Sequence, residues 1–298
     1  MSLVEKAAQR LRERSDSNGP IPPQPSSSSE TLPPTDLLAA SETVSPVNHN
    51  PVVVNVAALQ RIGLVPPEVV RDKIGREYQR VKRPILQVIA EDRDSPMGVN
   101  RIMVTSAKPG EGKSFTSLNL ALSLAQELDH TVLLVDGDVA SPRLSRALGL
   151  GKDPGLIDTL LSDDISAEQV IRTTDIPRLS VMPAGRRYDQ ATELMASRRM
   201  RRLVDELAAD SRRIVLFDSA PLLATAESQA LAMTMGQIIF VVKAGHTERR
   251  ALDSALSLLD QSSARVSLLL NQSRAAYGDD YDGYYGAYGG GVNGTSQL

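Results

Sequence analysis

The sequence predicts an α/β fold in which a mainly parallel sheet carries helices on both faces. Six short apolar runs, at residues 101–105, 131–135, 179–183, 213–217, 237–242 and 266–270, have the composition of strands covered on both sides. Amphipathic helical patterns lie between them at 114–128, 192–209, 226–235 and 248–262. This alternation implies right-handed crossovers and a ligand site at the carboxyl ends of the strands.

Length and composition fit one catalytic domain with appendages. The chain has 298 residues, of which 41% are hydrophobic and 23% charged, and it can bury a substantial core. A net charge of −3 does not suggest nucleic acid as a partner. The absence of cysteine excludes a disulfide scaffold and a thiolate zinc site. No apolar run is long enough for a membrane span or a secretory signal, so we expect a cytoplasmic protein.

Three segments are predicted to precede the main domain, which is expected over residues 96–274. Residues 1–14 have the spacing of a short amphipathic helix, which either docks on a partner or lipid surface or frays. The Pro- and Ser-rich residues 15–51 predict a disordered linker. Residues 52–95 form a helical lead-in, in which Pro84 should end or kink the helix.

A charged stripe lies within the helical lead-in. It consists of Glu77, Arg80 and Arg83, which are spaced about one helical turn apart on one side. Such a stripe is either a solvated helix face or a contact surface for another subunit. Its position directly before the main domain keeps the second interpretation open.

The most informative stretch joins the first predicted strand to the helix after it. Residues 101–128 read RIMVTSAKPGEGKSFTSLNLALSLAQEL, and Gly110 to Ser114 form the core of a phosphate-binding loop. In such a loop the backbone N–H groups point into one concavity, Lys113 reaches the β- and γ-phosphates, and the Ser114 hydroxyl ligates Mg²⁺. The strict pattern requires glycine at position 107, where this chain has Ala107.

The loop also resembles those of the deviant Walker A ATPases, the MinD/ParA class. Lys108 precedes Lys113 by five residues, the spacing of the second lysine of that class. The resemblance implies that Lys108 reaches a nucleotide across a dimer. The alternative is a solvated loop lysine.

Three carboxylates follow predicted strands. Asp136 and Asp138 come after the second strand, and Asp218 after the fourth. A carboxylate at the end of a buried strand is costly unless it is paired or near a cation. Beside a phosphate-binding loop, the three groups predict Mg²⁺ held largely through water. The alternative is that they cap the N-termini of helices.

Together these segments resemble the bacterial tyrosine kinases of exopolysaccharide synthesis, in particular the autokinase associated with exosortase systems. The similarity lies in the loop SAKPGEGKS, the strands VLLVDGDVASPRL and IVLFDSAPLL, the charged stripe and the opening MSLVEKA. It implies a P-loop protein-tyrosine autokinase that uses ATP and Mg²⁺. The chain departs from the family at Ala140, where many relatives have arginine, and at Ala220, where a proline is common.

The resemblance further implies roles for individual residues. Lys113, Asp136 and Asp138 would be catalytic, and we hypothesise that Asp136 orients or deprotonates the tyrosine hydroxyl. Mg²⁺ would be held by Ser114, Asp138 and Asp218. The charged stripe would join subunits in a ring-like oligomer or dimer. The nucleotide would be bound by Lys108, Gly110, Glu111, Gly112, Lys113, Ser114, Phe115 and, at the adenine, Asn271.

Five of the seven tyrosines lie in the C-terminal segment 275–298, at Tyr277, Tyr281, Tyr284, Tyr285 and Tyr288. The Gly and Asp residues around them prevent a packed element, so the segment is predicted to be a disordered tail. We expect these tyrosines to be phosphoacceptors for a neighbouring copy, the alternative being an unmodified tail. Each phosphate adds about −1.5 to −2 charges, so phosphorylation should favour disassembly of the oligomer.

The resemblance also implies partners. They are other copies of the chain, a separate membrane protein that governs polysaccharide chain length or export and activates the kinase, and a tyrosine phosphatase. Through the membrane protein the chain would lie peripherally at the inner face of the membrane. Two other functions stay open, namely a MinD/ParA-like ATPase that cycles a dimer on a membrane or nucleoid, and a non-catalytic scaffold whose assembly depends on nucleotide.

A second charged feature is rich in arginine. It is either a solvated helix face or a site for phosphotyrosine or an acidic partner, and it comprises Arg198, Arg199, Arg201, Arg202, Arg212 and Arg213. His246 follows the fifth predicted strand. No role is assigned to it, because a lone loop histidine is more often structural or solvent-facing.

Overall fold

A computed structural model describes residues 51–92 and 98–273, and these form an α/β domain around one sheet. The strands are β1 (Arg101–Ser106), β2 (Thr131–Asp136), β3 (Arg172–Thr173), β4 (Leu179–Met182), β5 (Arg213–Asp218), β6 (Gln237–Lys243) and β7 (Arg265–Asn271). Their order across the sheet is β3-β4-β2-β5-β1-β6-β7. Every neighbouring pair is parallel except β3 with β4. The predicted fold class is therefore confirmed.

Ten helices lie within the described residues. They are α1 (Val56–Arg61), α2 (Glu68–Glu91), α3 (Lys113–Leu124), α4 (Arg143–Ala147), α5 (Leu156–Leu161), α6 (Ala167–Val170), α7 (Ala191–Met195), α8 (Arg198–Leu207), α9 (Ala226–Ala232) and α10 (Arg249–Ser257). The predicted helix over 1–14, nearly all of the linker over 15–51 and the tail over 275–298 lie outside the described residues.

Alternate residues of the central strands bury the two faces of the sheet. Met103 and Phe217 enter a core that includes residues of α5, α7, α8 and α10. Ile102 and Val104 enter a second core with residues of α1, α2 and α3. All four side chains are fully buried, as expected for parallel strands covered on both faces.

The last strand does not follow this pattern, and the prediction that it is covered on both faces was wrong. Val266, Leu268 and Leu270 are 41%, 58% and 61% exposed. β7 is an edge strand that pairs with β6 alone in the described part of the sheet. An apolar run therefore predicted the strand correctly and its burial incorrectly.

The predicted helix over 192–209 is two helices, α7 and α8. The helical conformation is interrupted between them, and Ser197 caps the second helix. Its hydroxyl oxygen accepts a hydrogen bond from the backbone N–H of Met200 at 3.2 Å. This bond satisfies one of the free N–H groups at the start of α8, so a local cap ends the continuous helical pattern.

Several helix ends also differ from the predictions. The helices expected over 114–128, 226–235 and 248–262 end earlier, at Leu124, Ala232 and Ser257. Between β2 and β4, three short helices and the edge strand β3 were not predicted. Each of these elements has six residues or fewer, which is too short for a periodic pattern to identify.

Helix α2 continues through Pro84 to Glu91, so of the two outcomes expected at Pro84, an end or a kink, the end was wrong. Proline removes one backbone donor and leaves the carbonyl of Arg80 without its usual partner. Pro84 and Arg80 both lie on the exposed side of α2, where water is available to that carbonyl. The opposite side of α2 is held by packing, through Tyr78, Ile85 and other buried residues.

A buried lysine joins α2 to the end of α3. The Lys82 ammonium donates to the carbonyl of Ser123 at 2.9 Å and forms an ion pair with Glu127 at 2.7 Å. We expect Lys82→Ala to lower the free energy of unfolding by about 1–2 kcal/mol, because the charge-assisted hydrogen bond is lost in a buried position. The exposed Lys73 of the same helix provides the control, and Lys73→Ala should change stability by less than about 0.5 kcal/mol. Urea unfolding measures both, and equal midpoints would contradict the anchoring role.

Candidate active site

The phosphate-binding loop connects β1 to α3 in a conformation that requires glycine. Gly110 and Gly112 have φ values of 81° and 98°, which other residues rarely adopt. A Cβ on Gly112 would lie 2.0 Å from the side-chain nitrogen of Asn271. Helix α3 begins immediately after, at Lys113, so the loop leads into a helix N-terminus, where free N–H groups favour anions.

Two segments that are distant in the sequence, around Thr247 and Asn271, form hydrogen bonds to this loop. The Glu111 side chain is 2% exposed, and its carboxylate accepts hydrogen bonds from the backbone N–H of Lys108 at 2.8 Å and from the hydroxyl of Thr247. The Asn271 amide donates to the Glu111 carbonyl at 2.9 Å, and its oxygen accepts from the N–H of Gln272. Glu111 and Asn271 therefore shape the loop, and the Glu111 carboxylate is engaged by Lys108 and Thr247. Sequence reasoning missed Thr247.

Ala107 replaces the glycine of the strict motif and is fully buried. Its methyl group belongs to the core on one face of the sheet. The departure is therefore accommodated by packing at the end of β1.

Lys108 extends to the outside of the loop. Its ammonium lies 3.3 Å from a carboxylate oxygen of Glu248, and both side chains are largely exposed. An exposed ion pair of this kind contributes little free energy. Both interpretations of Lys108, a contact across a subunit boundary and a solvated lysine, stay predictions.

Lys113 and Ser114 line a cavity of about 720 Å³ at the carboxyl edge of the sheet. Burial lowers the pKa of Lys113, and the nearby carboxylates of Asp218 and Asp138 oppose that change. Asp138 lines the same cavity, and its carboxylate accepts the N–H of Ser141 at 3.1 Å. The cavity thus brings together the lysine, the hydroxyl and one carboxylate that the sequence predicted as a group.

Asp136 and Asp218 lie side by side on the parallel strands β2 and β5. Both are almost completely buried. Ser145 donates its N–H and its hydroxyl to one oxygen of Asp136 at 2.7 and 2.6 Å. The other oxygen, Oδ1, is buried and has no hydrogen-bond partner among the described residues. Asp218 accepts the hydroxyl of Ser117 at 3.0 Å.

Burial changes the acidity of this pair. It raises the pKa of Asp136 to about 7, and the neighbouring Asp218 adds to the effect. Burial also raises the pKa of Asp218 to about 6, although hydrogen bonds from Ser114 and Ser117 and the charge of Lys113 act in the opposite direction. Two adjacent buried carboxylates with raised pKa values favour a proton or a cation between them.

The raised pKa of Asp136 predicts a pH dependence of stability. The folded chain binds more protons than the unfolded chain between pH 3.8 and about 7, so stability should fall as pH rises through that window. We expect Asp136→Asn to flatten this fall in nucleotide-free, metal-free protein and to raise the unfolding temperature at pH 8. The exposed Asp164 provides the control, because Asp164→Asn should leave the slope unchanged. Asp218 also has a raised pKa, of about 6, so part of the fall below that pH should persist. A fall between about pH 6 and pH 7 that is as steep as in the unsubstituted chain would contradict the prediction.

Two arginines also line this cavity, which is the larger of the two at the loop, and they were not predicted as site residues. Arg143 and Arg146 of α4 line it together with Lys113, Ser114 and Asp138. Both lower the pKa of Asp138 electrostatically, against the larger effect of burial. The family's arginine at position 140 is Ala140 here, and Ala140 lines the same cavity. The sequence feature that could have identified Arg143 and Arg146 as site residues is their position shortly after Asp136 and Asp138.

A second cavity of about 690 Å³ adjoins the first at the loop. Gly112 and Phe115 line both cavities, while Asn271 lines only the second. The Phe115 ring packs at a tilt against Tyr78, with 6.4 Å between ring centroids. The nucleotide residues predicted on either side of Gly112 are thus distributed over two adjoining spaces.

The charged stripe lies on α2 beside the second cavity. Glu77, Arg80 and Arg83 are all exposed, and Glu77 is part of the cavity wall. A subunit contact through this stripe stays a prediction.

The remaining candidates lie elsewhere or outside the described residues. Of the arginine-rich segment, Arg199 and Arg213 form ion pairs with Asp163 and Glu168 at 2.9 and 3.0 Å. His246 is exposed in the loop after β6. The five tyrosines predicted as acceptors lie beyond residue 273, outside the described part. No helix in the described residues is long and apolar enough to cross a membrane.

The residues present fit a nucleotide with a divalent cation. Gly112 lines the cavity in a backbone conformation that favours glycine, and the buried Oδ1 of Asp136 has no hydrogen-bond partner within the described part of the chain. Across 51–92 and 98–273, no three His, Cys, Asp or Glu side chains are arranged to hold a metal by themselves. A Mg²⁺ ion would therefore take few protein ligands, with phosphate oxygens and water completing its shell.

The fold and the loop define a P-loop nucleotide-binding protein. Comparison with known proteins identifies the family within that class. The model of the AAA domain matches residues 99–267. Tyrosine-protein kinase YwqD of Bacillus subtilis (strain 168) is 32% identical over 214 residues, 72% of this chain and 87% of YwqD. The crystal structure of the VpsO kinase domain is similar with a TM-score of 0.57 and 27% identity, over 70% of this chain and 100% of that one. The chain belongs to the bacterial tyrosine-protein kinases.

Some relatives are much longer than this chain. The succinoglycan biosynthesis transport protein ExoP of Rhizobium meliloti (strain 1021) is 28% identical over 211 residues, which are 70% of this chain and 26% of ExoP. The matched region likewise makes up 24% and 28% of two further relatives. The kinase domain is therefore shared, while the rest of those proteins has no counterpart in the matched region.

Proposed function

We propose that this kinase transfers the γ-phosphoryl group of ATP to tyrosines in the C-terminal segment of another copy of itself. The observation that carries the proposal is the larger cavity, in which Lys113, Ser114 and Asp138 meet at the carboxyl edge of the sheet. The chain itself supplies an acceptor, because five tyrosines are clustered between residues 277 and 288. Tyr277 follows β7 by only a few residues, so reach to a neighbouring copy is favoured over reach to its own site.

The proposed roles follow from position and charge. In the reaction, the bond from the γ-phosphorus to the bridging oxygen breaks, a bond to the tyrosine oxygen forms, and ADP leaves. Lys113 would hold the phosphate oxygens, and Mg²⁺, held by Ser114, Asp138 and Asp218, would neutralise their charge. Positioning and charge neutralisation provide most of the acceleration in such transfers.

The proton of the tyrosine hydroxyl needs an acceptor. Asp136 was predicted for this role, and its raised pKa of about 7 suits a group that takes up a proton near neutral pH. Its side chain is fully buried, so reaching a tyrosine requires that the approach to β2 opens or that a water relays the proton. We keep Asp136 as the proposed base and Asp138 as the carboxylate already inside the cavity.

The proposed setting is polysaccharide export. The relative ExoP is named for succinoglycan biosynthesis and transport, and this supports a role in exopolysaccharide synthesis, chain length or export. We propose that a separate membrane protein of that system activates the kinase and places it at the inner face of the membrane. A ring-like oligomer or dimer through Glu77, Arg80 and Arg83, and reversal by a tyrosine phosphatase, complete the proposal.

Incubation with ATP and Mg²⁺ followed by mass spectrometry of the tail tests the function. We expect phosphate on several of the five tyrosines, and none in magnesium-free samples. Phosphate released to solution from a chain with a bare tail would support a MinD/ParA-like ATPase instead. Nucleotide binding without either reaction, also after addition of the membrane protein's cytoplasmic segment, would support a scaffold. Sedimentation before and after phosphorylation measures disassembly, and an unchanged mass would contradict that part.

A further inference from the structure

We propose that Arg143 and Arg146 form a recognition site for the acidic residues beside the acceptor tyrosines. We call these two residues the α4 arginine pair. The inference rests on the proposed transfer between copies, and it states which feature of the acceptor the kinase recognises. The pair selects an acidic, glycine-rich tyrosine peptide, and the tail of a second copy of this chain has that chemistry.

The arginine pair is exposed at the cavity in which the transfer is proposed to occur. Both side chains are exposed, and both line the cavity that holds Lys113, Ser114 and Asp138. The Arg146 guanidinium touches the hydroxyl of Ser141 at 3.5 Å. Among the described residues, no carboxylate lies within ion-pairing distance of Arg143. Two guanidinium groups at a cavity mouth are thus available to an incoming anion.

The two arginines also add positive charge to a cavity wall that carries the carboxylate of Asp138. Arg143 contributes to lowering the pKa of Lys113, and both arginines act on Asp138. An approaching acidic peptide would otherwise meet Asp138, which repels it. The arginine pair offsets that repulsion, and opposite charges at a mouth of this kind increase the rate of encounter.

The tail carries the complementary charge, and it is concentrated around Tyr281. Asp280 and Asp282 flank Tyr281 directly, and Asp279 lies two residues before it. Tyr288, in contrast, is six residues beyond Asp282 and has no acidic neighbour. If the arginine pair reads these aspartates, Tyr281 should depend on it strongly and Tyr288 weakly.

The test uses the full chain with its five tail tyrosines changed to phenylalanine as the phosphate donor. The acceptors are a synthetic peptide of residues 275–290 and the same peptide with Asp279, Asp280 and Asp282 replaced by lysine. We expect Arg143→Glu to raise the KM for the acidic peptide about tenfold, and to raise it by a larger factor than the KM for ATP. Arg143→Glu should also reverse the preference, so that the lysine peptide becomes the better acceptor.

The control is Arg250→Glu, at an exposed position of α10 outside the cavity lining. It should leave both KM values unchanged. A rise in the KM for ATP with an unchanged peptide KM would overturn the inference and assign Arg143 to the nucleotide. Equal use of both peptides by all variants would overturn it as well. If the donor with Arg143 intact phosphorylated neither peptide, that result would count against the proposed function itself. The failure of the proposed function is thus distinguishable from the failure of this inference.

Phosphate occupancy at single tyrosines gives an independent readout. In full-length chains, Arg143→Glu should lower occupancy at Tyr281 more than at Tyr288. A uniform loss across the tail would contradict recognition of the aspartates, because it would indicate a general catalytic defect.

Discussion

Lys113→Met should lower tail phosphorylation by about 10²–10³-fold or more, because the variant removes a buried positive charge from the place where phosphate charge is neutralised. Lys113 is 8% exposed, and methionine fills a similar volume without the charge. The lysine charge then no longer offsets the nearby carboxylates of Asp138 and Asp218, and we expect weaker nucleotide binding in addition to the slower transfer. Quantified phosphotyrosine and nucleotide titration measure the two effects separately.

The exposed Lys152 provides the matched control for this substitution. Lys152→Met should phosphorylate its tail at the unsubstituted rate. If Lys113→Met retained more than about a tenth of that rate, the loop lysine would not be the main phosphate contact, and the assignment of the site would be wrong.

Gly112→Ala should weaken nucleotide binding by about 100-fold. A φ of 98° costs a residue with a Cβ about 1–3 kcal/mol, and the new methyl group would also lie 2.0 Å from the Asn271 amide nitrogen. Relief of that contact requires Asn271 to leave the Glu111 carbonyl, so the brace behind the loop is lost together with its shape. Isothermal titration with ATP and Mg²⁺ measures the change.

Gly110→Ala is the informative comparison, because Gly110 has a similar φ of 81° and open space where a Cβ would point. It should therefore weaken binding several-fold less than Gly112→Ala. The double variant Gly112→Ala with Asn271→Ala should recover part of the loss, since the collision disappears. Equal effects of the two glycine variants would show that backbone conformation alone matters and that Asn271 has no bracing role.

The arrangement of the site could be predicted where it depends on strand ends. Asp136 and Asp218 are 82 positions apart in the sequence, yet a parallel sheet brings the carboxyl ends of β2 and β5 together, and the two are register partners. The loop and its lysine follow from local spacing. These features depend on periodicity and on short motifs, which a single sequence contains.

Other features depend on contacts that no local pattern encodes. The bond from Thr247 to Glu111 joins residues 136 positions apart, and nothing near Thr247 marks it as a partner. Arg143 and Arg146 sit on a helix of five residues, which is too short to show a hydrophobic period. The exposure of Leu268 and Leu270 was unpredictable because an apolar edge strand has the same composition as a central one.

The most direct test of the central claim mixes two forms of the full-length chain with ATP and Mg²⁺. The donor has an intact Lys113 and phenylalanine in place of its five tail tyrosines, and the acceptor carries Lys113→Met with an intact tail. We predict phosphotyrosine on the acceptor chain, at a rate that rises with donor concentration. An acceptor that stays unmodified, while the unsubstituted chain phosphorylates itself, would contradict transfer between copies.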